Sequence, residues 1–527
     1  MVRKAVAPYP AARVLSRRDL LRAGGILVPA AFAVPSFFAR TARAQTAAPF
    51  DYYISTTGSD GNPGTLAQPW AITSLQAANG NNSRMRGKRI GLLPGTYNIV
   101  NLPQPGDYQH PILRPPPGSA TATTYLASSD ASGNYLARTA TIQWGGSGSS
   151  PALGPNCDDP GYLVIDGLIV DAGGYSTSNG NSPQGTISFS SNGGGSPSSA
   201  GNIQGCGVQN CEVRNMGATP YGNNQALIFA SGYSGFFVKN CILHNCHKPS
   251  QPDHCHGYQE YTNQNSRITN NTIYDCDTGV HAKEGCSGTT FAYNYIYNCQ
   301  VAAIQGVDGA TGNPNTPGAP YSVHHNIIDG CGSTHACDVN GQAYQGLSWY
   351  NNTIYNHQGG AVNGLDLRAA RSNLIQCYNN IVVCTANGSG PYYGTVAVSP
   401  GGFAVLDYNC YELASYSAGW GLNGASGGNT TYNSLAAWQS ASRADANSIV
   451  GSPTFAAAIT SGAGPAQFKL SANSPCNGRG RVGGVSSGAA CNLGAWDGTV
   501  TQIGASATSA TSPPPAAVPD APTLTVS

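Results

Sequence analysis

The chain is 527 residues long, and its 25 basic and 24 acidic side chains leave a net charge of +1. Only 9% of residues are charged and there are 68 glycines and 35 prolines, which excludes coiled coils and helical bundles, built from helix formers with charged faces. The balance of charge also excludes the clustered cations of a nucleic-acid partner, and a hydrophobic share of 40% excludes a wholly disordered chain.

The first element in chain order is an address. Ser16-Arg17-Arg18-Asp19-Leu20-Leu21 precedes an apolar stretch from Gly24 to Phe38, followed by Thr41-Ala42-Arg43-Ala44. A basic region, a short apolar core and a small-x-small cleavage site read as a signal peptide over 1–44. The paired arginines resemble the twin-arginine export signal of bacteria. Pro29 and Pro35 interrupt an apolar stretch already short for a membrane span. The expectation is an exported, periplasmic or extracellular protein with no membrane partner, acting as a monomer.

From about residue 200 the chain repeats. Taking Cys211, Cys241, Asn271, Asn294, Asn326, Asn352, Asn380 and Asn409 as anchors, the steps are 30, 30, 23, 32, 26, 28 and 29 residues. Three positions before each anchor stand Val208, Val238, Ile268, Phe291, Val323, Trp349, Cys377 and Leu406. Two positions after the first seven stand Val213, Leu243, Ile273, Ile296, Ile328, Ile354 and Val382. All are apolar, with mostly polar residues between. This predicts two short strands per unit joined at a corner bearing Asn or Cys. Asn tolerates the left-handed backbone of tight corners, and stacked amides can bond along a ladder.

A third strand lies between anchors in the form small–apolar–polar: Ala226-Leu227-Ile228, Gly257-Tyr258-Gln259, Gly279-Val280-His281, Ala303-Ile304-Gln305, Ala336-Cys337-Asp338 and Ala361-Val362-Asn363. Three short strands per turn of about 22 to 33 residues predict an all-β, right-handed parallel β-helix, a solenoid whose core is buried by stacking. The domain spans 45–504, and 505–527, rich in Ala, Ser, Thr and Pro, reads as a flexible tail.

Sixteen cysteines in an exported chain raise the question of disulfides. Cys246, Cys276, Cys299 and Cys331 each fall five residues after an anchor and so form a column. Stacked strands lie about 4.8 Å apart, whereas a disulfide prefers Cβ atoms near 3.8 Å. A packed thiol ladder is favoured over bonds between stacked neighbours, and both remain open.

The ends carry a resemblance. Asp51-Tyr52-Tyr53-Ile54-Ser55, then Gly58-Ser59-Asp60-Gly61-Asn62-Pro63-Gly64-Thr65 and Gln68-Pro69-Trp70, precede an expected capping helix from Ile72 to Ala78. With Ile90-Gly91-Leu92-Leu93-Pro94-Gly95-Thr96-Tyr97, this resembles the opening of exported β-helix proteins of the pectate-lyase-like superfamily. Ser474-Pro475-Cys476 and Leu493-Gly494-Ala495-Trp496 resemble their closing segment. The likeness covers roughly residues 50 to 497.

Nine of the ten histidines lie between His244 and His357. Alternation along the third strand turns the apolar residue inward and the next outward. Gln259, His281, Gln305, Asp338 and Asn363 then form an outward column, with Tyr261, Lys283 and Asn340 two residues further on. Such a face fits an extended polysaccharide, and its candidate substrate-binding residues are Gln259, Tyr261, Gln305, Asp338 and Asn363. The superfamily resemblance implies a polysaccharide lyase on an acidic, uronate-containing glycan. There a Lys removes the proton beside the carboxylate, calcium neutralises that carboxylate, and the 4-linked sugar leaves by β-elimination. The candidate catalytic residues are Lys283, His281 and His256, a His also having a pKa suited to a base. The candidate calcium ligands are the carboxylates Asp253, Glu260, Asp277 and Glu284. Lys283 also reads as a solvated lysine paired with Glu284. Asp253-His254-Cys255-His256 faintly resembles the Asp-Pro-His-Asp entry of alginate epimerases, without its proline or final Asp. Hydrolysis is disfavoured, because the one Asp-Asp pair, Asp158-Asp159, sits in an expected loop. A non-catalytic glycan-binding or adhesin β-helix is the alternative.

Overall fold

The computed structural model describes residues 50–505, except 107–109, 146–149, 157, 159–160, 174–184, 191–202, 218–224, 248–253, 284, 307–320, 332–334, 339–346, 356–362, 368–374, 385–395, 399–403, 414–419 and 424–428. At 335–338, 363–364, 366, 396–398, 413, 421–423 and 429 it describes the backbone alone. The expected signal segment and, but for Ala505, the expected tail lie outside these residues.

The chain winds as a right-handed parallel β-helix. Its strands form three long sheets of 12, 12 and 10 strands among the described residues, and each coil contributes one strand to each sheet through the repeat region. Pairing is parallel in all three except where Trp420–Asn423 meets Asn429–Tyr432 at the C-terminal end. Right-handed crossing is the sense that parallel connections take in general. No helix among the described residues is long and apolar enough to cross a membrane. The expected capping helix is shorter than predicted, a single 3₁₀ turn over Ile72–Leu75. There Asp60 holds the Thr73 and Ser74 hydroxyls and the Asn79 amide, which fixes a polar loop where a longer helix was expected.

The two apolar columns read from the repeats are register columns. Val238 pairs with Val208 and Ile268, and the series continues through Phe291, Val323, Trp349, Cys377 and Leu406 in the first sheet. Val213, Leu243, Ile273, Ile296, Ile328, Ile354 and Val382 stack likewise in the second. All are buried in one continuous core.

The corner between these columns differs from the expectation in one respect. The left-handed residue is the one before each anchor: Asn210, Asn240, Asn270, Tyr293, His325, Asn351, Asn379 and Tyr408 have φ between 52° and 59°. That turn aims the anchor itself into the core. Asn271, Asn294, Asn326, Asn352, Asn380 and Asn409 are buried, and each of the first five donates through Nδ2 to Oδ1 of the next at 2.9–3.2 Å. Each of those Oδ1 atoms also accepts the backbone N–H of the preceding anchor. Each of those Nδ2 groups reaches back to a carbonyl of the previous coil. The ladder begins where Cys241 N–H donates to Asn271 Oδ1 at 2.9 Å. It ends on Asp445, which accepts from Asn409 Nδ2, Tyr411 Oη and Trp438 Nε1. Burial pushes the Asp445 carboxyl up to about 6, against the pull of those donors.

No disulfide joins the cysteines whose side chains are described. Cys246 and Cys276 are register partners, and Cys299 N–H donates to Cys331 Sγ at 3.4 Å, so the expected column packs as a thiol ladder. Beyond Val450 the chain turns back along the outside of the corner. Gly494 N–H donates to the Asn379 carbonyl, Ala495 N–H to Thr353 Oγ1, Gly504 N–H to the Tyr293 carbonyl and Ala505 N–H to Thr272 Oγ1. The closing segment thus packs Phe468, Ala495 and Trp496 on Tyr295 and Ile327, and Cys476 and Leu493 on Ile381 and Cys410.

Replacing Asn326 by Ala strands one amide hydrogen and the backbone N–H of Asn294 inside the core. An unmatched buried group costs about 1–3 kcal/mol, so Asn326→Ala is expected to lower the unfolding free energy by about 2–4 kcal/mol in urea titrations. A loss under about 0.5 kcal/mol, the range of ordinary surface changes, would refute the ladder's role.

Candidate functional site

The third sheet carries Gly185–Ser190, Gln225–Ser231, Cys255–Tyr261, Thr278–Ala282, Ala302–Gly306, His335–Asp338 and Asn363–Leu367 in adjacent rungs. Strict alternation fails in its middle. Leu227 and Ile228 both lie in the core, as do Ala303 and Ile304. The two rungs between them carry glycine at the first of the paired positions. A Cβ on Gly257 would sit 2.6 Å from Ile273 Cγ2, and one on Gly279 would sit 2.5 Å from the Ala303 carbonyl oxygen. Glycine there lets Tyr258 and Val280 follow as a second inward residue.

This double inward step decides which side chains meet outside. Counting alternately back from Tyr258 would bury His256 in the core; the extra inward residue returns it to the outer face. His256 Nε2 then lies 3.3 Å from His281 Nδ1, although its register partner is Thr278. The partner of His281 is Gln259, whose Nε2 is also 3.3 Å from His281 Nδ1. The row reads Ser188, Phe229, Gln259, His281, Gln305, Asp338 and Asp366 in register.

Three expectations change. The row is enclosed where an open groove was expected: His256 and Gln259 are 0% exposed, His281 3% and Gln305 8%. Side chains on rungs about 4.8 Å apart cover one another, and the strand bend tucks them closer. Asn363 does not continue the row; it pairs with His335, and Asp366 stands beside Asp338. The small–apolar–polar triplet at Ala226-Leu227-Ile228 is one residue early, since Phe229 is the partner of Gln259. Sequence reasoning therefore missed Ser188, Phe229 and Asp366. The triplet Leu227-Ile228-Phe229 carried the signal for one of them, had two inward residues been allowed.

Tyr261 and Lys283 do come together. Both are half-buried, Lys283 N–H donates to the Glu260 carbonyl at 2.9 Å, and Lys283 Nζ lies 5.3 Å from the centre of the Tyr261 ring. An ammonium over an aromatic face is held by the ring quadrupole. Tyr261 also packs on Phe229, with ring centres 5.7 Å apart.

Of the four acidic residues expected to hold calcium, Glu260 and Asp277 are described, and each is engaged by other side chains. Glu260 points to the core side between Ala230 and Ala282. Its carboxylate accepts from Tyr258 Oη at 2.8 Å, Asn263 Nδ2 at 3.1 Å and Thr289 Oγ1 at 2.7 Å, and burial raises its pKa. Asp277 bonds His247 Nδ1 at 2.7 Å, and that contact raises the His247 pKa. His247 lines a separate open cleft of about 550 Å³ with Gly173, Asn215, Met216, Gly217, Asn245 and Asp275. Asp253 and Glu284 lie outside the described residues. Among the described residues no three His, Cys, Asp or Glu side chains are grouped to hold a metal ion.

Burial, then the charge of nearby Lys283, holds the His281 imidazole down to about 3. Burial, then His281 and Lys283, holds His256 well below its ordinary value. Both rings are neutral at neutral pH. The unfolded chain protonates His281 near 6.5 and the folded one near 3, so between these values the unfolded state binds more protons and stability falls with falling pH. His281→Gln is expected to flatten the decline in unfolding free energy between pH 6.5 and pH 4, measured by urea titration. A decline as steep as wild type would show that His281 is not held neutral.

No family model matches the chain, and no curated protein does. Among solved structures, the chain is similar to pectate lyase Pel9A at 15% identity, covering 85% of this chain and 96% of that one, with a TM-score of 0.42. It is similar to the A-module of mannuronan C-5 epimerase AlgE6 of Azotobacter vinelandii at 14% identity, covering 72% and 95%, with a TM-score of 0.40. Similarity to XylC, solved in complex with xylose, is 12% over 69% and 84%, with a TM-score of 0.38.

Proposed function

We propose that the protein is an exported carbohydrate-active β-helix enzyme that cleaves an acidic, uronate-containing glycan by β-elimination, with Lys283 as the base. One observation carries this reading: Lys283 Nζ, a base in its unprotonated form, lies 5.3 Å from the centre of the Tyr261 ring, on the face that carries the neutral His256–His281 pair. An aromatic platform with no base in reach would favour a binding protein; here a base is in reach. The Lys283 amine takes the proton from the carbon beside the carboxylate. The electron pair left behind forms a carbon–carbon double bond as the bond to the 4-linked oxygen breaks, and water protonates the departing oxygen. Tyr261 places a sugar against Lys283, and the neutral imidazoles add no positive charge beside the base. Positioned proton transfer of this kind is worth about 10²–10⁴-fold in rate.

Ultraviolet absorbance of unsaturated uronates, followed on pectate, alginate and glycosaminoglycans with calcium and with a chelator, tests the reading. Wild type is expected to give signal on at least one of them, and Lys283→Ala to lower kcat by about 10²–10⁴-fold. The chelator arm decides whether calcium takes part. Silence from wild type on every acidic glycan, or an undiminished Lys283→Ala, overturns the mechanism and leaves the glycan-binding alternative.

A further inference from the structure

One pair of thiols bridges the solenoid and the segment that closes it. Cys410 opens the strand Cys410–Leu413 directly after the last anchor, Asn409, and Cys476 stands 66 positions later in the returning segment. Both are buried in one apolar cluster with Ile381, Val383, Tyr408 and Leu493, and their thiols are hydrogen-bonded to each other. The backbone seats them side by side. The Cys476 carbonyl accepts from Leu493 N–H, the next residue, Gly494, donates to the Asn379 carbonyl, and the Asn380 carbonyl accepts from Cys410 N–H.

This pair differs from the other neighbouring cysteines in what holds it. Cys246 and Cys276 are register partners, and Cys299 and Cys331 each stand three residues after the partners Ile296 and Ile328. Sheet pairing keeps such residues about 4.8 Å apart, wider than the Cβ separation near 3.8 Å that a disulfide prefers. Cys246 and Cys255, also hydrogen-bonded, are each fixed in a strand, in the second and third sheets. The rung neighbours of Cys410 are instead Ile381 and Ile449, and Cys476 lies in a turn, its N–H on Ser474 Oγ at 3.4 Å. No ladder sets the distance between Cys410 and Cys476, so the turn can make the small shift that bond closure needs. Pro475 and Gly478 beside Cys476 are exposed, and a slight opening of this turn brings its sulfur to solvent.

We propose that Cys410 and Cys476 form a disulfide that locks the closing segment onto the last rungs of the solenoid, made by exchange with a small-molecule disulfide oxidant. The thiol contact lowers the Cys476 pKa and, with burial, raises that of Cys410, so Cys476 ionises first. Its thiolate attacks one sulfur of the oxidant, and the other sulfur leaves as a thiolate. Cys410 then gives up its proton and attacks the Cys476 sulfur, releasing the second thiolate. Two cysteine thiols are oxidised, and the oxidant is reduced to two thiols. The proposed export carries the chain to a compartment where disulfides persist. The tie falls where the stack is weakest: among the described residues the first sheet ends at Val405–Asp407, just before Cys410, and a coil there lacks the neighbour that stabilises the others.

Peptide mapping of the whole protein, refolded from urea in a buffer of reduced and oxidised glutathione, tests the proposal. The refolded chain is expected to carry the Cys410–Cys476 bond, and its Tm to stand about 2–5 °C above that of the same chain in excess reductant. Cys476→Ala and, independently, Cys410→Ala are expected to melt at the same temperature with and without reductant. Free thiols at both positions, a bond at Cys246–Cys255 or between stacked cysteines in its place, a wild-type Tm indifferent to reductant, or a reductant effect that persists in both variants overturns it.

Discussion

From Asn271 to Asn380 the coils turn at a corner whose geometry depends on a buried amide bonded to the coils on both sides. The left-handed residue before the anchor turns the chain through the bend; the anchor asparagine then supplies what the bend takes away. A tight corner leaves backbone N–H and carbonyl groups facing a core without water, where each unpaired group is costly. Asparagine carries one acceptor oxygen and two amide hydrogens. Oδ1 takes the backbone N–H and the amide of the coil before it, and Nδ2 returns to a carbonyl of that earlier coil. No apolar residue satisfies both needs. The ladder therefore fixes the spacing of the coils, and the apolar columns fall into register beside it.

That constraint also explains the composition. Corners repeated on every coil call for residues that accept positive φ, and Asn holds five of the eight such positions before the anchors. Neutral amides, hydroxyls and stacked rings occupy the rungs, since like charges stacked about 4.8 Å apart would repel along a whole column. On the second sheet the Arg214 charge is compensated by Asp171 and Glu212. Its next neighbours are the stacked rings of His244, Tyr274 and Tyr297.

The periodic part of this molecule was legible because each anchor is constrained from both sides and admits few residues. The core columns flanking Asn271 to Asn409 needed only position counting. The site was legible in part. Tyr261 and Lys283 were found because they share parity with Gln259 beyond the strand bend. His256 was chosen on chemistry, and its place on the outer face depends on the double inward step at Gly257 and Tyr258, which no alternation rule contains. The same step explains the misplaced triplet at Ala226 and the absence of Phe229 from the expected row. Asn363 failed for a different reason: Ala361-Val362-Asn363 imitates the repeat three residues ahead of Gly364-Leu365-Asp366, and only the backbone pairing distinguishes them. Glu260 was misread as a ligand because a carboxylate in a core is rare. Its partners Tyr258, Asn263 and Thr289 are spread over its own strand, the following corner and the next strand, and nothing in their spacing announces a buried network.

A solenoid that repeats perfectly presents the same surface on every rung and has no reason to hold a ligand at one of them. Specificity needs a place where the repeat is broken while the stack continues. Here the break is a local doubling of inward residues over four rungs, made possible at its centre by glycines that a Cβ would block. It costs the sheet its alternation and draws His256, Gln259 and His281 into contact, which regular pleating would keep apart. The two neutral imidazoles and their amide neighbour are held by the scaffold, whereas Lys283, on the turn beyond the strand, sits half-buried against Tyr261. The ladder sets the rung spacing, and Gln259, His281 and Gln305 stack at that same spacing, so the corner and the row are two consequences of one rung spacing.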